Sequence, residues 1–250
     1  MKKHIARKAA ALISFLIVLA SVFPLSAAAW SPPGQPQPSQ PQPSVPPQSQ
    51  PPACVKTIDT EYVCLTVDDG WSKKIITNEL DVLKKNDVKC TFFVIGSRLN
   101  ALPEIWQRAI KEGHEICYHS MYHKSVLHMN EKQIKKDVKD WENAAHKALG
   151  KDYVIKRFAR LPGGSGSSRE SIRTIYAKMG YTVIYWSMDT LSHRKNIVSY
   201  IKKKTKGGAV ILTHFNGSDS KALSKYIGWL KDKFKLCRIS DVLKEIAPQS

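Results

Sequence analysis

From residue 60 onward, short apolar runs alternate with longer stretches in which apolar positions recur three and four apart. Residues 62–67 and 90–95 read as buried strands, and residues 75–85 and 102–111 as amphipathic helices, with Pro103 tolerated in a first turn. A short strand at 115–118 precedes a long helix over 130–150, opened by an Asn130/Gln133 capping box and stopped by Gly150. A strand at 157–160 runs into a Gly/Ser loop. Ser167 and Glu170 then read as the cap of a helix that ends at Gly180. Strands at 181–186, 209–213 and 236–239 alternate with helices at 197–204, 222–233 and 241–246. This is a βα unit repeated about seven times, which predicts a parallel sheet flanked by helices. A barrel related to the TIM barrel fits this length best, with a doubly wound sheet as the alternative. In both, reactive side chains gather at the C-terminal ends of strands.

The polar residues fall where that rule puts them. Asp68 and Asp69 follow the first strand, and His119 and His123 the third; Arg160 ends the fourth, Asp189 follows the fifth and His214 ends the sixth. Two adjacent carboxylates repel unless a cation lies beside them. His119 and His123 are spaced i, i+4, which on a helical turn would put both rings on one side. Two histidines, one carboxylate and a water make an open zinc site. His114-Glu115 is not a protease H-E-x-x-H motif, because Tyr118 stands at the position of the second histidine.

The stretch Leu65-Thr66-Val67-Asp68-Asp69-Gly70 resembles the first motif of the NodB-homology polysaccharide deacetylases, carbohydrate esterase family 4. Residues 113–116 with His119-Ser120-Met121-Tyr122-His123 resemble the second, and Arg160-Leu161-Pro162-Gly163-Gly164 the third. Asp189-Thr190-Leu191 resembles the start of the fourth, and Leu212-Thr213-His214 the fifth. The five occur in the family's order across residues 60–245. The resemblance implies a distorted TIM-like (β/α)7 barrel of the NodB-homology type. It implies a divalent metal, usually zinc, on Asp69, His119 and His123, with Asp68 as general base and Arg160 as its positioning partner. His214 would be the general acid, and Leu212, Pro162 and Asp189 would border the substrate. The implied substrate is an N-acetylated polysaccharide, peptidoglycan or a chitin-like oligomer. An inactive wall-binding protein and an O-acetyl esterase are the competing readings.

Three positions depart from that pattern. Val67 replaces a usual Phe, Cys117 replaces a usual Gly and is expected to crowd its turn, and Ser192-His193 replaces Asp-Trp. The family's Asp orients the acid histidine. Ser192 brings no charge, so activity is expected to be reduced or shifted in pH optimum.

The rest of the chain sets the context. Residues 1–29 have the basic start, apolar run and alanine end of a secretory signal peptide, leaving no stable membrane anchor after cleavage. Residues 30–53 hold ten of the 14 prolines with Gln and Ser between them, an extended linker. Residues 54–250 form the remaining domain. The formal charge of +18 falls to +14 once the four cations of the first 53 residues are set aside, which suits anionic wall polymers. No nucleic-acid motif accompanies it. Five cysteines leave at least one thiol unpaired, and Cys54 is the expected member of any bridge.

Overall fold

The computed structural model describes residues 52–244. The signal-peptide expectation, and all but the end of the linker expectation, lie outside them.

The sheet is a single curled layer of nine strands among the described residues: β1 (Cys54–Val55), β2 (Tyr62–Asp69), β3 (Thr91–Val94), β4 (Glu115–Tyr118), β5 (Phe158–Ala159), β6 (Thr182–Ile184), β7 (Met188–Asp189), β8 (Val210–His214) and β9 (Lys235–Cys237). They lie in the order β1-β6-β5-β4-β3-β2-β8-β7, with β9 paired to the lower part of β2. Every strand pairing is parallel. The edges are β1 and β7, and an antiparallel bridge from Thr57 to Ala209 ties the chain after β1 to the start of β8. This is the distorted α/β barrel expected, open rather than closed.

Alternation along β2 sets the layers. Val63, Leu65 and Val67 pack outward into the main core, which the helices complete with Trp106, Trp141, Tyr176 and Tyr226. Cys64 packs inward with Phe93, Phe158, Ile184 and Val210. Thr66 and Asp68 continue that inner face towards the C-terminal rim.

The helices are α1 (Lys73–Lys85), α2 (Gly96–Ala101), α3 (Pro103–Lys111), α4 (Glu131–Leu149), α5 (Glu170–Lys178), α6 (Ile197–Lys204), α7 (Gly217–Lys233) and α8 (Ile239–Val242). The Asn130/Gln133 capping box of α4 forms as expected. Other boundaries shift for local reasons. β1 and α2 are too short to show a period. α5 is capped by Arg169 without a side-chain bond, so Ser167 is not its cap. α7 starts five residues ahead of the expected 222, because Asn216 accepts the Ser218 and Asp219 N–H groups. Residue 239 opens α8 instead of ending a strand, and residues 245–250 lie outside the described residues.

Cys54 is unbridged, contrary to expectation. The sulfurs that meet are those of Cys64 and Cys237, register partners on β2 and β9, 3.2 Å apart and buried. Both are thiols here. Oxidised glutathione is expected to remove two titratable thiols from the wild-type chain and none from Cys64→Ala, by thiol counting after denaturation. Cys117 does not crowd its turn: it lies within β4 and packs inward beside Phe93.

His114 belongs to the core. Its ring stacks on Phe92 at 4.7 Å, and its Nδ1 accepts the Cys90 N–H at 3.1 Å. Burial, helped by the charge of Lys89, lowers its pKa from 6.5 to about 4. As pH falls, the unfolded chain therefore takes the proton first. The ring's contribution is full above pH 6.5 and is lost as the pH drops through 4, a change of roughly 3 kcal/mol. Urea unfolding at pH 7 and pH 4 measures it. His114→Phe is expected to flatten the slope, leaving the variant less stable than wild type at pH 7 by the lost hydrogen bond, roughly 1 kcal/mol, and more stable than wild type at pH 4.

Candidate active site

The C-terminal rim gathers the residues singled out from the sequence. Asp68 and Asp69 end β2, His119 follows β4, Arg160 follows β5, Asp189 ends β7 and His214 ends β8.

Arg160 is the anchor. It is fully buried, at 0% exposure, and threads the inside of the curl. Its NH1 donates to Asp68 Oδ1 at 2.9 Å and to Thr66 Oγ1 at 2.6 Å. Its NH2 donates to the Tyr185 carbonyl at 3.0 Å, and its guanidinium lies 4.1 Å from the centre of the Phe93 ring. Thr66 can accept because its own hydroxyl donates to the Ile211 carbonyl at 2.7 Å. Such a charge is retained in a dry interior only when paired and hydrogen-bonded. Asp68 is thereby fixed, with Oδ1 engaged and Oδ2 facing His119 Nε2 at 3.8 Å.

Asp69, His119 and His123 converge. One ligand atom from each lies within 4.8 Å of the others. Asp69 Oδ1 faces His119 Nε2 at 3.5 Å and His123 Nε2 at 3.4 Å, and it is buried without a hydrogen-bond donor. His119 Nδ1 donates to the Arg160 carbonyl at 2.8 Å, which turns the Nε2 lone pair towards Asp69. Burial alone would raise Asp69, but the contact and charge of His119, with the charges of His214 and His123, leave it lowered. His119 is raised, because the charges of Asp68 and Asp69 outweigh its burial. His123 is lowered by burial and by the charge of His119. Two imidazole nitrogens and an orphaned carboxylate oxygen at one focus fit a divalent cation of the zinc type.

The two histidines do not share a helix. The segment from 119 to 123 is a loop with Ser120 and His123 both at φ +58°, and the rings lie 5.1 Å apart. Asp69 is also left-handed, at φ +85°. These are three of the four such non-glycine residues among those described, so backbone strain is concentrated at the site. The loop is pinned: Gly96 N–H donates to the Ser120 carbonyl and Met121 N–H to Asp137 Oδ2, at 3.0 and 2.9 Å. Gly70 (φ +108°) is required because a Cβ there would meet Trp106 at 2.6 Å.

His214 is the register partner of Asp68 across β8 and β2, so the two side chains stand on one face. Its backbone N–H donates to Asp219 Oδ2 at 3.1 Å, while its buried Nδ1 has no partner. Ser192 does not supply one. Its hydroxyl donates to Asp189 Oδ2 at 2.9 Å, and Leu191 N–H takes Oδ1 at 2.8 Å. Asp189 thus commits both oxygens to its own turn. His193 stacks on Tyr200 at 3.7 Å. Leu212 lies two residues before His214 on the same face of β8, and Pro162 is buried at the start of the loop after Arg160.

Thr66, Asp137 and Asp219 are supporting residues that the sequence reading passed over. Asp219 had a signal, the Asn216-x-x-Asp219 helix start; Thr66 and Asp137 had none.

Residues 56–184 match the family model described as polysaccharide deacetylase. The chain belongs to that family, a hydrolase class acting on N-acetyl amide bonds. It is 26% identical over 193 residues to a peptidoglycan-N-acetylglucosamine deacetylase of Bacillus cereus, covering 73% of this chain and 88% of that one. It is 30% identical over 159 residues to a chitooligosaccharide deacetylase of Bradyrhizobium, covering 62% and 71%. The chain spans 66% to 88% of the length of the first curated relatives it matches. Among solved structures it resembles a mutant of BA3943, a CE4 family pseudoenzyme of Bacillus anthracis, with restored enzymatic activity. That likeness has a TM-score of 0.70 and 25% identity, over 77% of this chain and 72% of the other.

Proposed function

We propose that the protein is a secreted, metal-dependent N-deacetylase that hydrolyses acetamido groups of N-acetylglucosamine units, with peptidoglycan as substrate. The observation that carries the reading is the convergence of Asp69, His119 and His123 beside an Asp68 locked by Arg160. A divalent metal held by those three would supply Lewis acidity, polarising a carbonyl and lowering the pKa of a water towards about 7.

The chain's own groups supply the proton work. Asp68 keeps Oδ2 free of Arg160 and is placed to accept a proton from an attacking water. His214, its neighbour across the strands, is placed to return a proton to the leaving nitrogen. Such acid–base assistance contributes roughly 10²–10⁴ in rate. Trp71, two residues after Asp69, and Tyr122, beside His123 in sequence, have 52% and 60% of their surface exposed, platforms suited to the apolar faces of sugar rings. The basic charge suits an acidic wall. Export rests on residues 1–29 and the zinc assignment on the donor set.

The unpartnered Nδ1 of His214 favours a second reading, a wall-binding protein of low turnover. One experiment separates the readings. The chain from residue 30 onward is loaded with zinc, and acetate and free amine are measured from peptidoglycan and from chitooligosaccharides. Equal release of acetate and amine is expected. Acetate without amine identifies an O-acetyl esterase. Binding with neither product leaves the wall-binding protein.

A further inference from the structure

We propose that the cleft lined by Lys56, Ser167, Ser168, Arg173 and Tyr185 binds a carboxylate of an acidic sugar in the substrate strand. This deepens the deacetylase reading and rests on it for the identity of the strand.

The cleft encloses about 370 Å³, room for part of a sugar ring and its substituent, and no aspartate or glutamate lines it. Two cations do. Arg173 is held by backbone carbonyls and not by an acid. Its Nε donates to the Pro52 carbonyl at 2.6 Å and its NH1 to the Ser167 carbonyl at 3.1 Å. Among the described residues no carboxylate lies within ion-pair distance of it or of Lys56. The Lys56 ammonium sits 5.4 Å from the centre of the Tyr185 ring. Both cations act on the same point: burial raises the Cys54 thiol, which also lines the cleft, while the charges of Arg173 and Lys56 pull it back.

A further observation points to a ligand. Ser167 is 3% exposed and lines the cleft, and its hydroxyl has no hydrogen-bond partner. A buried hydroxyl without a partner is costly. An anion beside Arg173 supplies its missing acceptor.

The position suits a polymer. Lys56 follows β1, Ser167 lies in the loop after β5 and Tyr185 follows β6, so the cleft opens on the rim that carries the metal-type cluster. The wall between them is one residue thick: the Tyr185 carbonyl accepts from Arg160, while the Tyr185 ring lines the cleft. That wall is rigid. Tyr185 stacks on Trp186 at 3.9 Å, and a Cβ on Gly164 would strike Tyr185 at 2.5 Å. A glycan strand held at the catalytic residues and continuing past Tyr185 meets two cations with no acid nearby. In peptidoglycan strands freed of their stem peptides the sugar next to N-acetylglucosamine carries a free lactyl carboxylate, whereas chitin offers only neutral sugars.

Deacetylation kinetics of the zinc-loaded chain test this on two tetrasaccharides. One alternates N-acetylglucosamine with peptide-free N-acetylmuramic acid; the other is chitotetraose. Lys56→Glu is expected to raise KM for the acidic tetramer about tenfold at low salt, with kcat and the chitotetraose KM within twofold of wild type. Ser167→Ala is expected to raise the acidic KM without lowering Tm, since the hydroxyl it removes makes no bond. Changes equal for both substrates, or an acidic KM unmoved by both substitutions, overturn the proposal. If neither tetramer is deacetylated, the functional reading fails and the cleft is tested by equilibrium titration with N-acetylmuramic acid. Saturable binding lost in Lys56→Glu upholds the site, and no binding overturns it. Inorganic phosphate binding more tightly than the acid sugar overturns the carboxylate assignment.

Discussion

Asp69→Asn is expected to abolish metal binding and lower kcat/KM by on the order of 10³, several kcal/mol of lost Lewis-acid assistance. Asp69 offers the one oxygen that faces both imidazoles. Asparagine is the informative replacement, because the residue sits at φ +85°, a region that Asn tolerates and alanine resists. Asp69→Ala adds backbone strain to the loss of a ligand, so a weakened fold there would confuse the two effects. Zinc per chain after dialysis is expected to fall from about one to near zero. The rise in Tm that zinc gives the wild-type chain is expected to vanish in Asp69→Asn, because only binding to the folded state stabilises it. A variant that retains zinc and activity would remove Asp69 from the ligand set.

Arg160→Ala is expected to lower stability by about 4 kcal/mol, within the range found when one member of a buried ion pair is removed. Four groups lose their donor at once: Asp68, Thr66, and the carbonyls of Ile184 and Tyr185. In a domain of this size the loss corresponds to a fall in Tm on the order of 10 °C. Arg160→Lys keeps a charge but cannot span Asp68 and the carbonyls of Ile184 and Tyr185, so it is expected to fall between the two. Urea unfolding of the three proteins measures the series, and a Tm for Arg160→Ala within 2–3 °C of wild type would show the pair to be dispensable.

Much of the site was legible because it obeys strand periodicity. A residue at the end of a buried apolar run must emerge on the rim, and that placed Asp68, Asp69, Arg160 and His214 correctly. What was not legible lies in backbone geometry. The spacing of His119 and His123 suggested a helical turn, yet two left-handed residues bring the rings together in a loop, and nothing in Ser120 announces that conformation. The full burial of Arg160 has no signal in the sequence, since two of its partners are backbone carbonyls, which every residue carries. The contact of Cys64 with Cys237 depends on the register of strands 173 residues apart. Ser167 reads as a helix cap and is instead an unpartnered hydroxyl, a difference of two residues in where α5 begins.

The strand carrying both aspartates has one further consequence, for the order of events during synthesis. β2 pairs with β3 beside it in the chain, but also with β8 and β9 from the far end. A chain emerging from its amino end therefore presents Asp68, already flanked by β3, long before β8 exists on its other side. Until residues 210–237 have followed, one neighbour of β2 and the histidine opposite Asp68 are missing. The candidate rim is thus among the last parts of the molecule that can assemble, because His214 and the second flank of β2 arrive only with β8 and β9.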